Sequence, residues 1–180
     1  MAPLTLAALP VDKTLLAELR SDHAGEYGAV AIYQGILAIT RSPDVRRFAQ
    51  THITTETRHL TFLETILPRR QRTRLLPLWK VSGWLLGALP ALLGPRAVYL
   101  TIEAVEQFVE GHYQRQLAML AGNPALRELG NQLEQCCADE VAHKHDAAAR
   151  YHRPAGPLAR WWMRIVDQGS AAAVALAKRV

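Results

Sequence analysis

This chain lacks the features that mark disulfide-rich, zinc-binding or nucleotide-binding proteins. Its two cysteines, Cys136 and Cys137, are adjacent, so they form neither a Cys-x-x-Cys metal motif nor a disulfide framework. No stretch alternates apolar and polar residues as a half-buried strand does. No glycine-rich loop of the kind that binds phosphate is present. These absences favour an all-α protein in a reducing compartment.

The composition is that of a globular protein, with 49% hydrophobic and 21% charged residues. At 180 residues the chain is long enough to bury a substantial core. We expect a single domain over residues 1–180, with a flexible start at residues 1–10. The net charge of +5 suits nucleic acid or an anionic membrane surface, and charge alone does not distinguish them.

The amino-terminal MAPLTLAALPVDKT has no basic region before an apolar core, so it does not resemble a secretory signal. It is also not the arginine- and serine-rich segment typical of an organellar transit peptide. We therefore expect a bacterial cytoplasmic protein.

Apolar residues recur at steps of three and four along most of the chain, which predicts helices. Ser42-Pro43 is typical of a helix start, because Ser caps the first turn and Pro is tolerated within it. The predicted helices cover about residues 11–40, 42–68, 96–121, 125–152 and 158–179.

Two Glu-x-x-His motifs, Glu56–His59 and Glu140–His143, place a carboxylate and an imidazole on one face of a helix. A lone glutamate precedes each motif, with Glu26 lying 30 residues before Glu56 and Glu106 lying 34 residues before Glu140. All of them are in phase with apolar faces. This repeated pattern is the ligand set of a carboxylate-bridged di-iron site in a four-helix bundle.

Carboxylates and neutral imidazoles suit iron or manganese, and the absence of thiolate pairs argues against structural zinc. Four glutamates carry four negative charges, which two Fe(II) ions balance. Without metal, carboxylates buried together would have to take up protons. The predicted metal ligands are Glu26, Glu56, His59, Glu106, Glu140 and His143.

The third predicted helix leaves the ligand choice open, because Glu103, Glu106 and Glu110 lie on neighbouring parts of one face. Glu106 is best in phase with the apolar residues around it, so we select it. Outside the ligand set, Asp139 is either a solvated acid or a hydrogen-bond acceptor for a ligand histidine. Three further histidines fit no ligand pattern and are interpreted as surface or supporting residues, namely His52, His145 and His152.

Residues 68–95 connect the second and third bundle helices and begin with four arginines in seven residues. The rest of this crossover is apolar, contains Trp79 and Trp84, and is interrupted by Pro77 and Pro90. It is too short and broken for a confident transmembrane helix. Arginine beside a Trp- and Leu-rich segment favours a hairpin in the membrane interface, and the alternative is a buried helical hairpin across the bundle.

Several sequence strings resemble the demethoxyubiquinone hydroxylase family. They are the stretch 19–28 with Asp-His-Ala-Gly-Glu-Tyr-Gly, Leu78-Trp79, Ala104-Val-Glu with His112-Tyr113, and Asp139-Glu-x-x-His143. The similarity runs from about Leu15 to the carboxyl terminus. The arginine-dense tract at 69–74 departs from the family pattern.

The resemblance implies a ferritin-like di-iron monooxygenase of ubiquinone biosynthesis, with the same six ligands that spacing selected. It places His112, Tyr113 and Arg179 near the substrate or on an electron-transfer route. It implies O2 as co-substrate, NADH or another reductant as electron source, and peripheral attachment to the cytoplasmic side of the inner membrane. It further allows an accessory protein of the ubiquinone pathway. We also expect no nucleic-acid partner and allow a homo-oligomer.

We therefore expect a hydroxylase acting on the ring of a polyprenylated demethoxy-ubiquinone precursor. The apolar crossover and the Trp161-Trp162 helix would enter the bilayer and admit the isoprenoid tail. Two alternatives remain from the sequence. One is a di-iron hydroxylase of modified tRNA, which the basic charge favours. The other is a ferritin-like protein that stores iron or removes peroxide.

Overall fold

The computed structural model describes residues 5–6 and 9–180, and over these residues the chain is all-α, as predicted. Short 3-10 turns at Arg69–Gln71 and Pro124–Leu126 join some of the helices. The five predicted helices are confirmed to within a few residues, and a further helix lies in the crossover. The helices are α1 Lys13–Ile39, α2 Pro43–Ile66, α3 Leu76–Leu93, α4 Pro95–Leu120, α5 Arg127–Ala149 and α6 Pro157–Ala177.

The predicted flexible start at residues 1–10 falls mostly outside the described residues. Of its described part, Leu6 and Leu9 pack against the apolar core near the beginning of α1.

Local sequence sets the helix ends. The Asp12 carboxylate accepts a hydrogen bond of 2.7 Å from the Leu15 backbone N–H and so caps α1. The Ser42 hydroxyl accepts from the first turn of α2, where Pro43 lies. Gly94 has a φ of +106°, which favours glycine, and this residue ends α3 directly before Pro95 begins α4.

Helices α1, α2, α4 and α5 form the predicted four-helix bundle, in up-down-down-up order. Residues early in α1 meet residues late in α4, so these two helices are antiparallel, and the same holds for α2 and α5. The contacts that fix these directions are Glu26–Tyr113 and Tyr33–Glu106 for the first pair, and His59–Asp139 and His52–Asp146 for the second.

The crossover contains a single helix, α3, where a hairpin was predicted. Its two prolines do not break it. Pro77 lies in the first turn, where a backbone N–H has no partner within the helix, and Pro90 lies in the last turn. The helix therefore continues along the bundle, parallel to α1, and returns the chain to the end from which α4 descends.

Glycines allow α3 and α1 to pack backbone against backbone. A Cβ atom added at Gly87 would lie 1.9 Å from the Ile32 carbonyl oxygen, and one added at Gly83 would lie 2.5 Å from the Gly28 carbonyl oxygen. No side chain fits in this space. The close approach fixes α3 against α1 and leaves the other face of α3 outside the core.

The sixth helix closes the remaining side of the bundle. The Trp162 indole N–H donates to the Thr101 hydroxyl on α4 at 2.8 Å, and the Lys178 ammonium pairs with Glu18 on α1 at 2.7 Å. Only Val166 and Ala177 of α6 are buried. The helix is therefore held at its two ends, and its middle faces an internal cavity.

The apolar core has two large clusters, one near each end of the bundle, and a small third cluster of Ala24, Trp79 and Ala177. The first includes Tyr33, Phe48 and Tyr99, and the second includes Leu63 and Leu129. A layer of buried polar residues lies between them. Each of the four bundle helices contributes one glutamate to that layer.

We predict that Gly87→Ala destabilises the protein by about 2 kcal/mol, because the new methyl group would force α3 away from α1. Thermal unfolding in one fixed metal state measures this effect. Gly130→Ala on α5 is the matched control, since its Cβ would meet no atom within 4 Å. That change should stabilise the protein by roughly 0.5–1 kcal/mol, as alanine favours a helix over glycine. Equal melting temperatures for the two variants would contradict the prediction.

Candidate metal centre and cavity

The structure brings the six predicted ligands together in the polar layer of the bundle. They form two overlapping groups, and within each group the candidate ligand atoms lie within 4.8 Å of one another. The first group, the His59 position, is Glu26, Glu56, His59 and Glu140. The second group, the His143 position, is Glu56, Glu106, Glu140 and His143.

Glu56 and Glu140 belong to both positions. The Glu140 Oε1 atom lies 3.0 Å from the His59 Nδ1 atom, and Oε2 lies 3.4 Å from the His143 Nδ1 atom. Glu56 is placed in the same way, with Oε1 at 3.0 Å from His143 Nδ1 and Oε2 at 3.9 Å from His59 Nδ1. Each of these carboxylates therefore presents one oxygen to each position, as a bridging ligand does.

The cluster is buried, and several of its polar atoms have no hydrogen-bond partner. These orphaned atoms include both oxygens of Glu140, one oxygen of Glu56, and the Nδ1 atoms of His59 and His143. Buried polar atoms are almost always satisfied in folded proteins. Hard carboxylate and imidazole donors aimed at common points fit a pair of iron or manganese ions.

Burial acts strongly on the cluster's protonation when metal is absent. It raises the pKa of Glu56 and of Glu106 well above the usual value, and the charge on Glu140 adds to both effects. For Glu140, burial is outweighed by the adjacent His143 and His59 rings, which favour its charged form, and its pKa falls to about 2. Burial opposes the charge on His143 as well, yet Glu140 and Glu56 raise its pKa to about 9. The cluster therefore holds protons where cations would otherwise lie.

Two tyrosines support the outer glutamates, and the sequence interpretation missed this role for Tyr33. The Tyr113 hydroxyl donates to Glu26 Oε1 at 2.6 Å, and the Tyr33 hydroxyl donates to Glu106 Oε1 at 3.1 Å. Each tyrosine lies seven residues after the glutamate of its own helix and reaches the glutamate of the other. That shared spacing of two helical turns is the signal that could have revealed the pair.

Asp139 accepts a hydrogen bond from a predicted ligand histidine. Its Oδ2 atom lies 3.0 Å from the His59 Nε2 atom, which leaves Nδ1 facing the carboxylates. The alternative, a merely solvated acid, is wrong. His52 is buried and packs against His143 with ring centroids 4.1 Å apart, so it is a supporting residue, whereas His145 and His152 are exposed.

The structure also separates Glu106 from its neighbours on α4. Glu103 accepts a hydrogen bond from the Tyr151 hydroxyl, and Glu110 pairs with Lys144. Neither belongs to the two ligand groups. The selection of Glu106 by helical phase therefore agrees with the observed geometry.

A cavity of about 410 Å³ extends from the cluster between α1, α3, α4 and α6. One glutamate from each bundle helix lines it at the inner end, and apolar side chains such as Ile32, Trp79, Leu86 and Val105 line most of its remaining wall. A volume of this size suits a small organic molecule. The cavity therefore connects an apolar binding space directly to the carboxylates.

A polar network borders the cavity at the α1–α4 side. The His112 Nε2 atom lies 2.8 Å from Asp22 Oδ1, and the Gln116 amide donates to Asp22 Oδ2 at 2.7 Å. Burial raises the pKa of Asp22, and the hydrogen bonds from His112 and Gln116 oppose that rise. The sequence interpretation missed Asp22 and Gln116, since contacts between two helices leave no spacing signal.

Both His112 and Tyr113, which the resemblance placed near the substrate, line the cavity. Arg179 does not line it and is exposed at the end of α6. Its neighbour Lys178 makes the contact with α1, through Glu18.

The fold and the cluster define a class of protein, the ferritin-like helical bundle with a buried carboxylate and histidine centre compatible with metal. Residues 13–177 match the sequence model of the family described as ubiquinone biosynthesis protein COQ7, and the chain belongs to that family. The family resemblance found in the sequence is thus confirmed.

Its relatives are hydroxylases. The NADPH-dependent 3-demethoxyubiquinone 3-hydroxylase of Rattus norvegicus mitochondria is 36% identical over 165 residues, covering 89% of this chain and 76% of the relative. The enzyme of the same description from Homo sapiens is 34% identical over 165 residues, covering 90% and 76%. The 3-demethoxyubiquinol 3-hydroxylase of Rhodospirillum rubrum is 45% identical over 101 residues, covering 54% and 48%. These matches place the chain among the hydroxylases of ubiquinone biosynthesis.

We predict that the metal-free protein loses stability as the pH rises from about 5 to 9. The folded state keeps protons on Glu56, Glu106 and His143 that the unfolded chain releases near pH 4.5 for glutamate and 6.5 for histidine. The unfolded state then binds fewer protons, so the free energy of unfolding falls with pH. The lowered pKa of Glu140 changes the free energy of unfolding only below about pH 5, outside this range.

Melting temperatures of the chelated protein at several pH values test this. Glu106→Gln removes one carboxyl group with a raised pKa. The melting temperature of this variant should therefore fall less steeply with pH. The metal-loaded protein is the control, because bound cations replace those protons and metal binding strengthens with pH. A melting temperature of the chelated protein that stays constant or rises over this range would refute the prediction.

Proposed function

We propose that this protein is an O2-dependent di-iron monooxygenase that hydroxylates the ring of a polyprenylated demethoxy-ubiquinone precursor, 2-polyprenyl-3-methyl-6-methoxy-1,4-benzoquinone. The observation that carries the proposal is the apolar cavity whose inner end is lined by Glu26, Glu56, Glu106 and Glu140. A ring bound in that cavity would lie beside the carboxylates of both metal positions. The names of the relatives supply the substrate class.

In this proposal Glu56 and Glu140, which belong to both ligand groups, would be shared between two iron ions, and each remaining ligand would hold one ion. Iron bound there would supply the activation of O2 and the oxidation of the ring. The chain's own part is to hold the ligands in place. Tyr113 and Tyr33 do so for Glu26 and Glu106 through the two hydrogen bonds described above.

The cavity would bind the quinone by burying its apolar surface and excluding water from the centre. Ser21, Asp22 and His112 provide polar groups in an otherwise apolar wall. Asp22 holds the His112 ring through Nε2, so that ring has a fixed orientation in the cavity. We assign His112 to positioning a quinone oxygen and Tyr113 to holding Glu26 beside the substrate.

The reaction also needs a two-electron donor, and we propose a reduced nicotinamide. Support comes from the names of the mammalian relatives, which include NADPH dependence. The chain itself contains no glycine-rich nucleotide-binding loop. The nicotinamide would therefore act on the quinone in the cavity or through another protein.

We further propose that α3 and α6 attach the protein to the cytoplasmic side of the inner membrane in bacteria. Helix α3 is long and apolar enough to span a bilayer by length and composition, and only 28% of it is buried. Large apolar side chains are exposed on both helices. The exposed apolar face comprises Leu78, Val81, Trp84, Leu85, Leu89, Leu92 and Leu93 of α3, and Leu158, Trp161, Ile165 and Leu176 of α6.

Those two helices also line the cavity, so a lipid-borne substrate could pass from the bilayer to the carboxylates. Single exposed apolar residues are ordinary, but several large ones on each of two helices that line the same cavity indicate a surface that is normally covered. Arg69, Arg70 and Arg74 precede α3 and would face anionic headgroups. Neither alternative function, iron storage in a polar-surfaced shell or hydroxylation of tRNA, requires an exposed apolar surface.

We predict that Glu106→Gln abolishes hydroxylation, because it removes an outer ligand. Product formation should fall at least about 100-fold, which exceeds the usual effect of losing a supporting residue. Quinone profiling of cells that carry only this variant should show accumulation of the demethoxy precursor. Glu56→Ala and His143→Ala should behave in the same way.

Glu103→Gln is the matched control for the Glu106 variant, since it changes a carboxylate one turn away on the same helix that lies outside the cluster. It should leave the quinone profile unchanged. Normal quinone levels in the Glu106→Gln cells would exclude the proposal. Binding of many iron ions per chain would favour iron storage.

We predict that Leu89→Glu and Trp161→Glu release the protein from lipid vesicles, because each places a charge in the exposed apolar face. The fraction that floats with vesicles containing anionic phospholipid should fall at least about tenfold for the double variant. Met119→Glu is the control, as Met119 is similarly exposed but lies on α4. Equal flotation of all these proteins would argue against attachment through α3 and α6.

A further inference from the structure

The two halves of the metal centre correspond residue by residue. Helices α1 and α2 provide a glutamate, a supporting tyrosine and a Glu-x-x-His motif, and α4 and α5 provide the same set in the same order. This approximate two-fold relation pairs Thr55 with Asp139, because each directly precedes a bridging glutamate. The two metal positions can therefore be compared through these residues.

The His59 position has a carboxylate behind its histidine. Asp139 lies 3.0 Å from His59 Nε2 and is itself held by the Arg58 guanidinium at 2.7 Å and the Gln135 amide at 3.3 Å. Arg58 is largely exposed, so solvent weakens its competition for the carboxylate. A carboxylate on the far nitrogen of a ligand histidine fixes the ring and strengthens it as a donor.

The His143 position has no such support. Thr55 occupies the corresponding place, and none of the hydrogen bonds among the described residues involves its side chain. Both ion pairs of His143 within that part of the chain run from Nδ1 toward the bridging glutamates, so Nε2 has no carboxylate partner there. The two histidines thus differ in that the Nε2 atom of His59 has a carboxylate partner and that of His143 has none among the described residues.

A second carboxylate near His143, that of Asp146, is bound to other residues. Asp146 Oδ2 lies 2.8 Å from the His52 Nε2 atom, and Arg150 pairs with the same carboxylate at 2.9 Å. The His52 ring packs against the His143 ring at a tilt of 59°. The ring of His143 is therefore packed against an imidazole, while the ring of His59 is hydrogen-bonded to an acid.

We infer that the two metal positions are unequal, and that the first ion occupies the His59 position because Asp139 orients and strengthens His59. Asp139 is a positioning residue in this assignment, acting through the histidine. The inference rests on the proposed function, since it assumes that the cluster holds two ions. Loss of such a supporting residue typically lowers metal affinity about 10- to 100-fold, which sets the expected difference between the positions.

Titration of the chelated full-length protein with Mn²⁺ tests the inference by calorimetry and electron paramagnetic resonance. The isotherm should show two steps separated by about 10- to 100-fold in affinity. Below one equivalent, the spectrum should be that of isolated Mn²⁺, and the signal of a coupled pair should replace it as the second equivalent binds. Equivalent positions would instead give a single step, which would overturn the inference.

Two reciprocal substitutions assign the difference to the supporting residue. Asp139→Asn should weaken the first step about 10- to 100-fold and merge it with the second. Thr55→Asp should strengthen the second step by placing a carboxylate behind His143. Asp146→Asn is the control, and it should leave the separation of the steps within a few-fold. An unchanged separation in the Asp139→Asn protein would overturn the assignment.

Ligand substitutions provide an independent measurement if a supporting variant fails to fold. His143→Ala should keep one tightly bound Mn²⁺, whereas His59→Ala should lose the tight step. The reverse order would overturn the inference. Two equal ions per chain would contradict this inference alone, while failure to bind any pair of ions would contradict the proposed function as well.

Discussion

The mutual repulsion of four buried glutamates is the constraint on which the rest of this structure depends. Carboxylates brought this close and removed from water cannot all stay charged unless cations or protons lie among them. In the metal-free protein the raised pKa values of Glu56 and Glu106 and the charged His143 meet that requirement in part. Two divalent ions would meet it in full. The apolar clusters on either side of the polar layer supply the packing that holds the four helices around it.

The two helices outside the bundle turn that centre into a site that can receive an apolar molecule. Helix α3 lies against α1 because glycines allow backbone contact, and α6 is held at its ends by Trp162 and Lys178. Between them and the bundle lies the cavity that reaches the carboxylates. The same helices expose apolar side chains outward. One arrangement thus serves both the proposed route for the substrate and the proposed attachment to the membrane.

Much of the fold followed from the sequence, because the apolar period and the capping residues act locally. Ser42 and Asp12 begin their helices as their side chains dictate. The helical content of the crossover was harder to predict. Pro77 and Pro90 suggested a break, yet Pro77 lies in the first turn, where a proline costs little, and α3 continues past Pro90 to Leu93. Whether a proline breaks a helix depends on its position within that helix, and composition does not give that position.

For the site, the sequence by itself determined the two Glu-x-x-His motifs and the preceding glutamates, since helical spacing alone places each pair on one face. It also selected Glu106 over its neighbours by phase. Only the tertiary structure decided which groups support the ligands, including Tyr33, Asp22 and the preference of Asp139 for His59. These contacts join helices distant in the chain, and their distances depend on how the helices pack. The cavity likewise depends on tertiary structure, because its shape is set by how four helices pack together and not by the sequence of any one of them.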